Sequence, residues 1–413
     1  MKTRAAVLIV RAVCFLTLLL MPVVHASAQM RVVAIADSHG AYPEFVAILQ
    51  RVGLIDGNRQ WIGGSSVLVQ LGDVIDRGKR SRACLDLLMD LERQAPKQNG
   101  RVIPILGNHE VMNLMGDLRY VVAEDYQAFA TEQSEERREE AYRDYRKFLA
   151  SHIAHHHAEY SDDEAGRQKW MADHPPGFFE RHDAFDAQGL YGHWIRSHDA
   201  VAQVGDTLFL HGGLNPALHF KNIKEVNDRV HSEIARFDSL WQSLCDKKII
   251  WRYMKLEEAI RQIQEEWTLI QARGQVEDRE AVQQMQELAG LQNWLIVSPD
   301  GPLWYRGLAL EPEEKLKTPL EAMLERLRVQ YLVAGHTVRP KFDIMPRFDN
   351  HVFLIDTGML KEVYGGRGSA LEFRDGSVTA YYTDQEPQVL VGPAGGGAAP
   401  TSSTDKSGGK PES

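Results

Sequence analysis

The sequence has few cysteines and no excess of basic residues. Only three of its 413 residues are cysteines, and one of these, Cys14, lies near the N-terminus. A framework of disulfide bonds is therefore excluded. Cys84 and Cys245 are expected to be buried free thiols, with a single bond between them as the alternative. The formal net charge is −10 at pH 7, which argues against nucleic-acid binding because that function needs a basic surface.

The first 28 residues differ from the rest of the chain. Three basic residues flank the apolar run 13–24, and Ala26-Ser27-Ala28 follows it. This order is typical of a secretory signal peptide, and the run is short for a membrane anchor. We expect cleavage after Ala28 and export to the periplasm or the medium, leaving no stable membrane anchor; a retained N-terminal anchor is the alternative. Cleavage would remove three basic residues and no acidic ones, so the net charge would change from −10 to −13.

The C-terminal end and two internal stretches also stand apart in composition. From about residue 386 the chain is rich in Gly, Pro, Ala and Ser, which predicts a disordered tail. Residues 117–198 and 221–294 are predicted to be helical insertions within one domain that spans residues 29–385. The run His155-His156-His157 lacks carboxylate or cysteine partners, so we expect a solvated stretch there rather than a metal site.

Short apolar runs alternate with helical patterns in the remaining sequence. Three strand-like runs, each followed by a polar loop and a helical pattern, lie within about 80 residues near the N-terminus. This order predicts a βαβαβ start and a parallel sheet. Later patterns predict hairpins over 200–210 and 370–382, a strand over 331–334 and a helix over 319–328.

Five loops, each placed after an apolar strand, carry polar side chains of related types. Ligands bind at the carboxyl ends of strands in open α/β sheets. A single His or Asp at a strand end is usually a hydrogen-bonded polar side chain with no further function. Five such loops in order are not expected by chance. The residues are Asp37 and His39, then Asp73, Asp76 and Arg77, then Asn108 and His109, then His211, and finally His336.

The residue types in these loops suit a pair of metal ions. Mixed oxygen and imidazole ligands favour Mn, Fe or Zn over Ca, which prefers oxygen ligands alone. The candidates are too many for one tetrahedral site and about enough for two, and Asp73, in the middle of the set, is the natural bridge between ions about 3.5–4 Å apart. Such a pair would yield a hydroxide near neutral pH and clamp the oxygens of a phosphoryl group. Arg77 could bind phosphate oxygens through two N–H groups.

The order and spacing of the motifs resemble the phosphoprotein phosphatase signature of the calcineurin-like metallophosphoesterases. That signature reads GDxHG, GDxxDRG, GNHE, HGG and a final His, and this sequence has ADSHG, GDVIDRG, GNHE, HGG and GHT. The resemblance implies a metal-dependent phosphoric ester hydrolase. It also implies a four-layer α/β/β/α core, a β-sandwich of mixed sheets flanked by helices. The implied ligands are Asp37, His39 and bridging Asp73 for a first metal, and Asp73, Asn108, His211 and His336 for a second.

The resemblance also assigns roles in the reaction. His109 would be the general acid that protonates the leaving oxygen, Asp76 would orient it, and Arg77 would hold the phosphate. The sequence departs from the family pattern at Leu106, where eukaryotic relatives have an arginine, and at Ala36, which replaces a glycine.

A later arginine is expected to replace the missing phosphate contact. Arg306 in the segment PLWYRG is the first candidate, with a surface arginine at a helix end as its alternative interpretation. Arg339 and Arg367 are weaker candidates. The PLWYRG segment and the two insertions resemble the Shewanella-like phosphatase branch, which includes enzymes that act on phosphotyrosine.

The sequence therefore predicts an exported phosphatase that acts on phosphomonoesters of proteins or small molecules, and the resemblance favours phosphotyrosine. A hydrolase of small molecules or dinucleoside polyphosphates, with the same fold, is the alternative. A non-catalytic phospho-ligand-binding module is an alternative of another class, and the intact set of site residues argues against it. GHT lacks the second histidine of GHxH, which counts against purple-acid-type and nuclease-type relatives.

Overall fold

The computed structural model describes residues 30–152, 163–273 and 278–393 of the chain. The predicted signal peptide, the run His155-His156-His157 and the end of the predicted tail lie outside these residues. The strands are β1 (Val32–Ile35), β2 (Val67–Gln70), β3 (Arg101–Pro104), β4 (Val201–Val204), β5 (Thr207–Leu210), β6 (Tyr331–Ala334), β7 (Met345–Arg347), β8 (Val352–Leu354), β9 (Ser369–Arg374), β10 (Ser377–Tyr382) and β11 (Gln388–Val391). The helices are α1 (Tyr42–Arg51), α2 (Ser81–Gln94), α3 (Asn108–Leu114), α4 (Ala123–Gln127), α5 (Ser134–His152), α6 (Glu164–Asp173), α7 (Phe178–Phe185), α8 (Leu190–Arg196), α9 (Ile223–Asp246), α10 (Leu256–Arg273), α11 (Arg279–Ala289), α12 (Gly307–Leu310), α13 (Glu313–Leu327) and α14 (Lys361–Tyr364).

The strands form two mixed sheets. The larger has the order β11-β10-β9-β1-β2-β3, and the smaller has the order β4-β5-β6-β8-β7. Strands β1, β2 and β3 pair in parallel, which confirms the predicted βαβαβ start. The predicted hairpins are the antiparallel pairs β4–β5 and β9–β10.

Side chains on opposite faces of the strands contribute to two different cores, one between the two sheets and one against the helices. On β1, Val32 packs in one cluster with Phe209 of the other sheet, so this cluster lies between the two sheets. The next residue, Val33, belongs instead to a cluster that contains Phe45 of α1. Successive side chains of a strand point to opposite faces, so each sheet has one face on the other sheet and one on helices. The predicted sandwich of mixed sheets flanked by helices is confirmed.

The described parts of both predicted insertions are helical. Helices α4 to α8 lie within residues 117–198, and α9 to α11 lie within residues 221–294. No helix of the described residues is long and apolar enough to cross a membrane. Cys84 on α2 is buried, Cys245 on α9 is half-buried, and both thiols are free.

Two predicted boundaries differ from the structure. The helix predicted over 319–328 begins at Glu313, with Pro319 inside it. Acidic residues in its first turn favour an earlier start, since they interact with the positive end of the helix dipole. Disorder was predicted from about residue 386, but Gln388–Val391 forms strand β11, which pairs with the edge of β10. The apolar residues Val389, Leu390 and Val391 suit that edge despite the Gly- and Ser-rich sequence that follows.

Candidate active site

The carboxyl ends of strands from both sheets meet at one cluster of polar side chains. Asp37 follows β1, Asp73 follows β2, Asn108 follows β3, His211 follows β5 and His336 follows β6. All five are buried, with at most 7% of each residue exposed. The structure thus brings together residues from five loops that are far apart in the sequence.

Asp73 lies between two groups of possible metal ligands. Its Oδ2 atom is 3.6 Å from His39 Nε2 and 3.3 Å from His211 Nε2. With Asp73, His39 and His109 form one group and His211 and His336 the other, and the ligand atoms of each group lie within 4.8 Å of one another. This central position is the one that a carboxylate bridging two ions requires.

The other two predicted ligands adjoin these groups. Asp37 Oδ2 is 4.0 Å from His39 Nε2, and Asp37 Oδ1 accepts a hydrogen bond of 3.0 Å from the backbone N–H of His336. Asn108 Oδ1 lies 2.9 Å from His211 Nε2, which is 3.0 Å from His336 Nδ1. All six predicted metal ligands therefore lie in one buried cluster.

The electrostatics of this cluster favour cations. Burial and the neighbouring Asp356 raise the pKa of Asp37 well above its usual range. Burial also raises the pKa of Asp356 to about 6. Burial lowers the pKa of His211, but the carboxylates of Asp73 and Asp37 outweigh this effect and raise it to about 10. Metal ions would supply the positive charge that these buried carboxylates otherwise draw from protons.

The donor atoms also fit borderline metal ions. They are imidazole nitrogens with carboxylate and amide oxygens, a set that suits Mn, Fe or Zn. His336 Nε2 is buried and has no hydrogen-bond partner in the part of the chain that the structure describes. Buried polar atoms nearly always have a partner, so this nitrogen is available as a ligand.

Left-handed backbone conformations aim the site residues into the cluster. The φ angles are 44° at His39, 52° at Asp73, 70° at Asp76, 65° at Arg77 and 66° at His336. Residues other than glycine rarely adopt positive φ, and each such strained residue costs on the order of 1–3 kcal/mol. This concentration of strain requires firm support from the surrounding loops.

Glu110 and two glycines provide part of that support. The Glu110 carboxylate accepts hydrogen bonds from the backbone N–H groups of Asp73 (2.7 Å), Val74 (2.9 Å) and Gly107 (2.9 Å). A Cβ atom on Gly72 would lie 2.3 Å from the backbone nitrogen of Gly107, so the two loops approach too closely for any side chain there. Glu110 is part of the motif GNHE, but nothing in the local sequence assigns it this role.

His109 is held by a chain of buried polar groups. Its Nδ1 atom is 2.7 Å from Asp76 Oδ2. Asn113 Nδ2 donates to both carboxylate oxygens of Asp76, at 3.0 and 2.9 Å, and Arg181 donates to Asn113 Oδ1 at 2.7 Å. Sequence reasoning predicted Asp76 but missed Asn113 and Arg181. Arg181 lies on α7, in an insertion whose pattern of charged and aromatic residues gave no sign of a site.

Arg77 lies between two tyrosines beside the cluster. Its guanidinium carbon is 4.4 Å from the ring centre of Tyr120 and 5.6 Å from that of Tyr364. Its Nη2 atom is 3.3 Å from His109 Nε2. The two rings also contact site histidines, with centre-to-centre distances of 5.0 Å from Tyr120 to His109 and 5.8 Å from Tyr364 to His39. Sequence reasoning missed both tyrosines.

Of the three later arginines, Arg306 contacts a predicted ligand. Its Nη1 atom donates to the backbone carbonyl of His336 at 2.9 Å and to Thr337 Oγ1 at 3.1 Å. Arg339 donates to a backbone carbonyl of α12, and Arg367 pairs with a carboxylate at 3.3 Å beyond β10. Arg306 is therefore at the edge of the cluster, whereas the contacts of Arg339 and Arg367 are with other parts of the fold.

Comparison with known proteins gives a family match over most of the chain. A model described as calcineurin-like phosphoesterase matches residues 30–340. Shewanella-like protein phosphatase 1 of Plasmodium berghei is 26% identical over 332 residues, which are 80% of this chain and 67% of that protein. Shewanella-like protein phosphatase 2 of Arabidopsis thaliana is 32% identical over 214 residues, which are 50% of this chain and 52% of that protein.

A solved structure supports the fold. The cold-active protein-tyrosine phosphatase of a psychrophilic Shewanella species superposes with a TM-score of 0.55 at 21% identity. The alignment covers 88% of this chain and 81% of the Shewanella chain. These matches confirm the predicted fold and the resemblance to Shewanella-like phosphatases.

Metal removal should lower the thermal stability of this chain, and added Mn²⁺ should restore it. The buried carboxylates need positive charge, and an ion at 100 times its Kd contributes about 2.7 kcal/mol to the free energy of unfolding. Calorimetry after dialysis against EDTA, with and without Mn²⁺, measures the effect. Asp73→Asn should show no rise in Tm when Mn²⁺ is added. Asp228→Asn, on an exposed part of α9, should show the same rise as the parent. An equal shift in both variants would place the ions elsewhere.

Proposed function

This chain belongs to the calcineurin-like phosphoesterase family and is a metal-dependent phosphoesterase, and we propose that it hydrolyses phosphomonoesters, preferring phosphotyrosine in proteins. The observation that carries this proposal is the position of Arg77, which lies between two aromatic rings and beside the buried His and Asp cluster. The names of the Shewanella-like relatives, which are protein phosphatases, support a phosphoprotein substrate.

The proposed metal ligands come from all five loops. Two ions there would lower the pKa of a water molecule and offset the charge on the phosphoryl oxygens. The central position and burial of Asp73 support its role as the shared ligand. We assign Asp37, His39 and Asp73 to one ion, and Asp73, Asn108, His211 and His336 to the other.

We propose that His109 protonates the leaving oxygen. Asp76 engages its Nδ1 atom at 2.7 Å, so the nitrogen that faces the cluster is Nε2. A carboxylate partner fixes both the orientation of an imidazole and the nitrogen that carries the transferable proton. Arg77, whose guanidinium lies next to that nitrogen, would bind the phosphate and bring the leaving oxygen toward His109. Arg306 would add a second phosphate contact from the side of His336.

The proposed preference for phosphotyrosine depends on Tyr120 and Tyr364. Tyr120 is 37% exposed, so part of its ring is free to contact a substrate. An aromatic pair contributes about 0.5–1.5 kcal/mol beyond the area it buries. A phosphoserine side chain has no ring to form such a pair, so these tyrosines would favour an aryl phosphate.

A substrate panel tests this preference. The assay uses protein without residues 1–28 and contains Mn²⁺. We expect kcat/KM to be highest for a phosphotyrosine peptide, lower for a phosphoserine peptide and lowest for diadenosine tetraphosphate. Tyr120→Leu should reduce the preference for phosphotyrosine over phosphoserine by about 2- to 10-fold, the equivalent of one aromatic contact. Tyr42→Leu, on α1, is the matched control and should not change it. A preference for the dinucleotide would favour the small-molecule hydrolase instead.

Loss of the acid or of the shared ligand should abolish catalysis without unfolding the chain. A general acid contributes about 10²–10⁴-fold to the rate. We expect His109→Ala and Asp73→Asn to lose hydrolysis of p-nitrophenyl phosphate while keeping the circular dichroism spectrum of the parent. His193→Ala, an exposed histidine on α8, should retain activity. Activity in both site variants would refute the mechanism, and an inactive parent would favour a phospho-ligand-binding module.

We also propose that the chain is exported. The support is the sequence of its first 28 residues, in which basic, apolar and small residues follow one another. N-terminal sequencing of the expressed protein should give a chain that begins at Gln29 outside the cytoplasmic membrane. A chain that begins at Met1 in the membrane fraction would indicate a retained anchor.

A further inference from the structure

We infer that Arg181, on helix α7 of the first insertion, is a positioning residue for the reaction. Arg181 sets the orientation of the Asn113 amide, and that amide holds the carboxylate of Asp76. The Asp76 carboxylate in turn orients His109. The inference rests on the proposed role of His109 as general acid. It extends that role to a residue 72 positions away in the sequence, on a helix outside the sheets.

Arg181 is buried and contacts the chain of polar groups directly. Only 2% of the residue is exposed. Its Nη2 atom donates to Asn113 Oδ1 at 2.7 Å and lies 4.0 Å from Asp76 Oδ1. Its guanidinium carbon is 4.4 Å from the ring centre of Phe185, so an aromatic face fixes the side chain from another direction.

The hydrogen bond from Arg181 determines which way the Asn113 amide points. An asparagine amide has an acceptor oxygen and a donor NH2 group at opposite ends. Because the oxygen accepts from Arg181, the NH2 group faces the carboxylate of Asp76 and the backbone carbonyl of His109, which is 2.9 Å away. Without Arg181, the amide could turn its oxygen toward Asp76, and the carboxylate would lose a donor to each of its oxygens.

Arg181 also supplies charge where two buried carboxylates need it. Asp76 and Asp125 are both fully buried. Burial raises the pKa of Asp125 to about 6, although Arg181 acts in the opposite direction. A lone buried carboxylate is unstable as an anion. Arg181, whose Nη2 atom is 4.0 Å from Asp76 Oδ1, therefore places a positive charge beside the carboxylate that contacts His109 Nδ1.

Arg181 lies on the wall of a cavity that is separate from the proposed metal ligands. Arg181 and Asn113 line a cavity of about 1080 Å³, whose other walls come mainly from the two insertions and include Trp241 and Trp251. The proposed metal ligands do not line this cavity. A shorter or uncharged side chain at position 181 would leave space that water can enter, so the metal cluster itself should stay intact.

The test compares two substrates that differ in how much they need the acid. Phenolate is a poorer leaving group than p-nitrophenolate, so hydrolysis of phenyl phosphate depends more on proton donation. For Arg181→Met we expect kcat on phenyl phosphate to fall by about 10- to 100-fold, part of what a general acid contributes. The fall on p-nitrophenyl phosphate should be clearly smaller, with KM and bound metal unchanged. Arg196→Met, which lines the same cavity but pairs with Asp238, is the matched control and should show neither fall.

A second variant keeps the inference testable if Arg181→Met does not fold. Asn113→Ala removes the same link from its other end and should give the same dependence on the leaving group. The double variant, if it folds, should lose no more kcat on phenyl phosphate than the more impaired single variant, since both residues act through the same series of hydrogen bonds. The inference would be overturned by an unchanged kcat, by equal falls in kcat on both substrates, or by loss of bound metal. Additive losses of kcat in the double variant would also overturn it.

His109→Asn, assayed in parallel, separates the inference from the proposed function. If this variant keeps the parent kcat, the role of His109 as general acid fails. If it loses kcat on phenyl phosphate while Arg181→Met and Asn113→Ala do not, the proposed function stands and the inference about Arg181 fails alone.

Discussion

The buried carboxylate of Asp73 is the constraint on which the rest of the site depends. Its Oδ2 atom lies within 4 Å of the Nε2 atoms of three histidines, from the loops after β1, β3 and β5. Its backbone carbonyl accepts hydrogen bonds from the N–H groups of Ser38 and His39, and its Oδ1 atom accepts one from the N–H of His109. One residue in a strained conformation thus connects four loops. Its charge is stable there only with cations or protons beside it.

The two-sheet architecture explains why these loops can meet in a dry environment. Side chains of β1 and β2 pack against those of β5 and β6 between the sheets, so the carboxyl ends of strands from both sheets lie at one edge of the same core. Parallel pairing within each sheet brings neighbouring loops into register, as in β1 with β2 and β5 with β6. The inner core therefore both excludes water from the ligands and sets the spacing between them.

The sequence predicted the metal cluster better than its surroundings, for a physical reason. Each predicted ligand lies within four residues of the end of a strand, so strand pattern and motif together identify Asp37, Asp73, Asn108, His211 and His336 from local sequence. Asn113 and Arg181 lie on helices and have no such local signal, since helical periodicity indicates a buried face but not what that face contacts. Tyr120 lies in a turn between α3 and α4, where no periodic pattern points to a site. Strand β11 was missed because its pairing with β10 is a tertiary contact that composition does not reveal.

The same first insertion supplies both a proposed substrate contact and support for the proposed acid. Tyr120, at its start, stacks on Arg77, and Arg181, further along, holds Asn113 next to Asp76. Arg77 and Asp76 are adjacent in the loop after β2, and the backbone N–H of Arg77 donates to the carbonyl of Tyr120 at 2.9 Å. A shift of this insertion would therefore change phosphate binding and the orientation of His109 together. The proposed metal ligands follow strands of the two sheets, so metal binding would be much less affected. In the proposed mechanism the core would hold the ions, and the insertion would govern how a substrate meets His109.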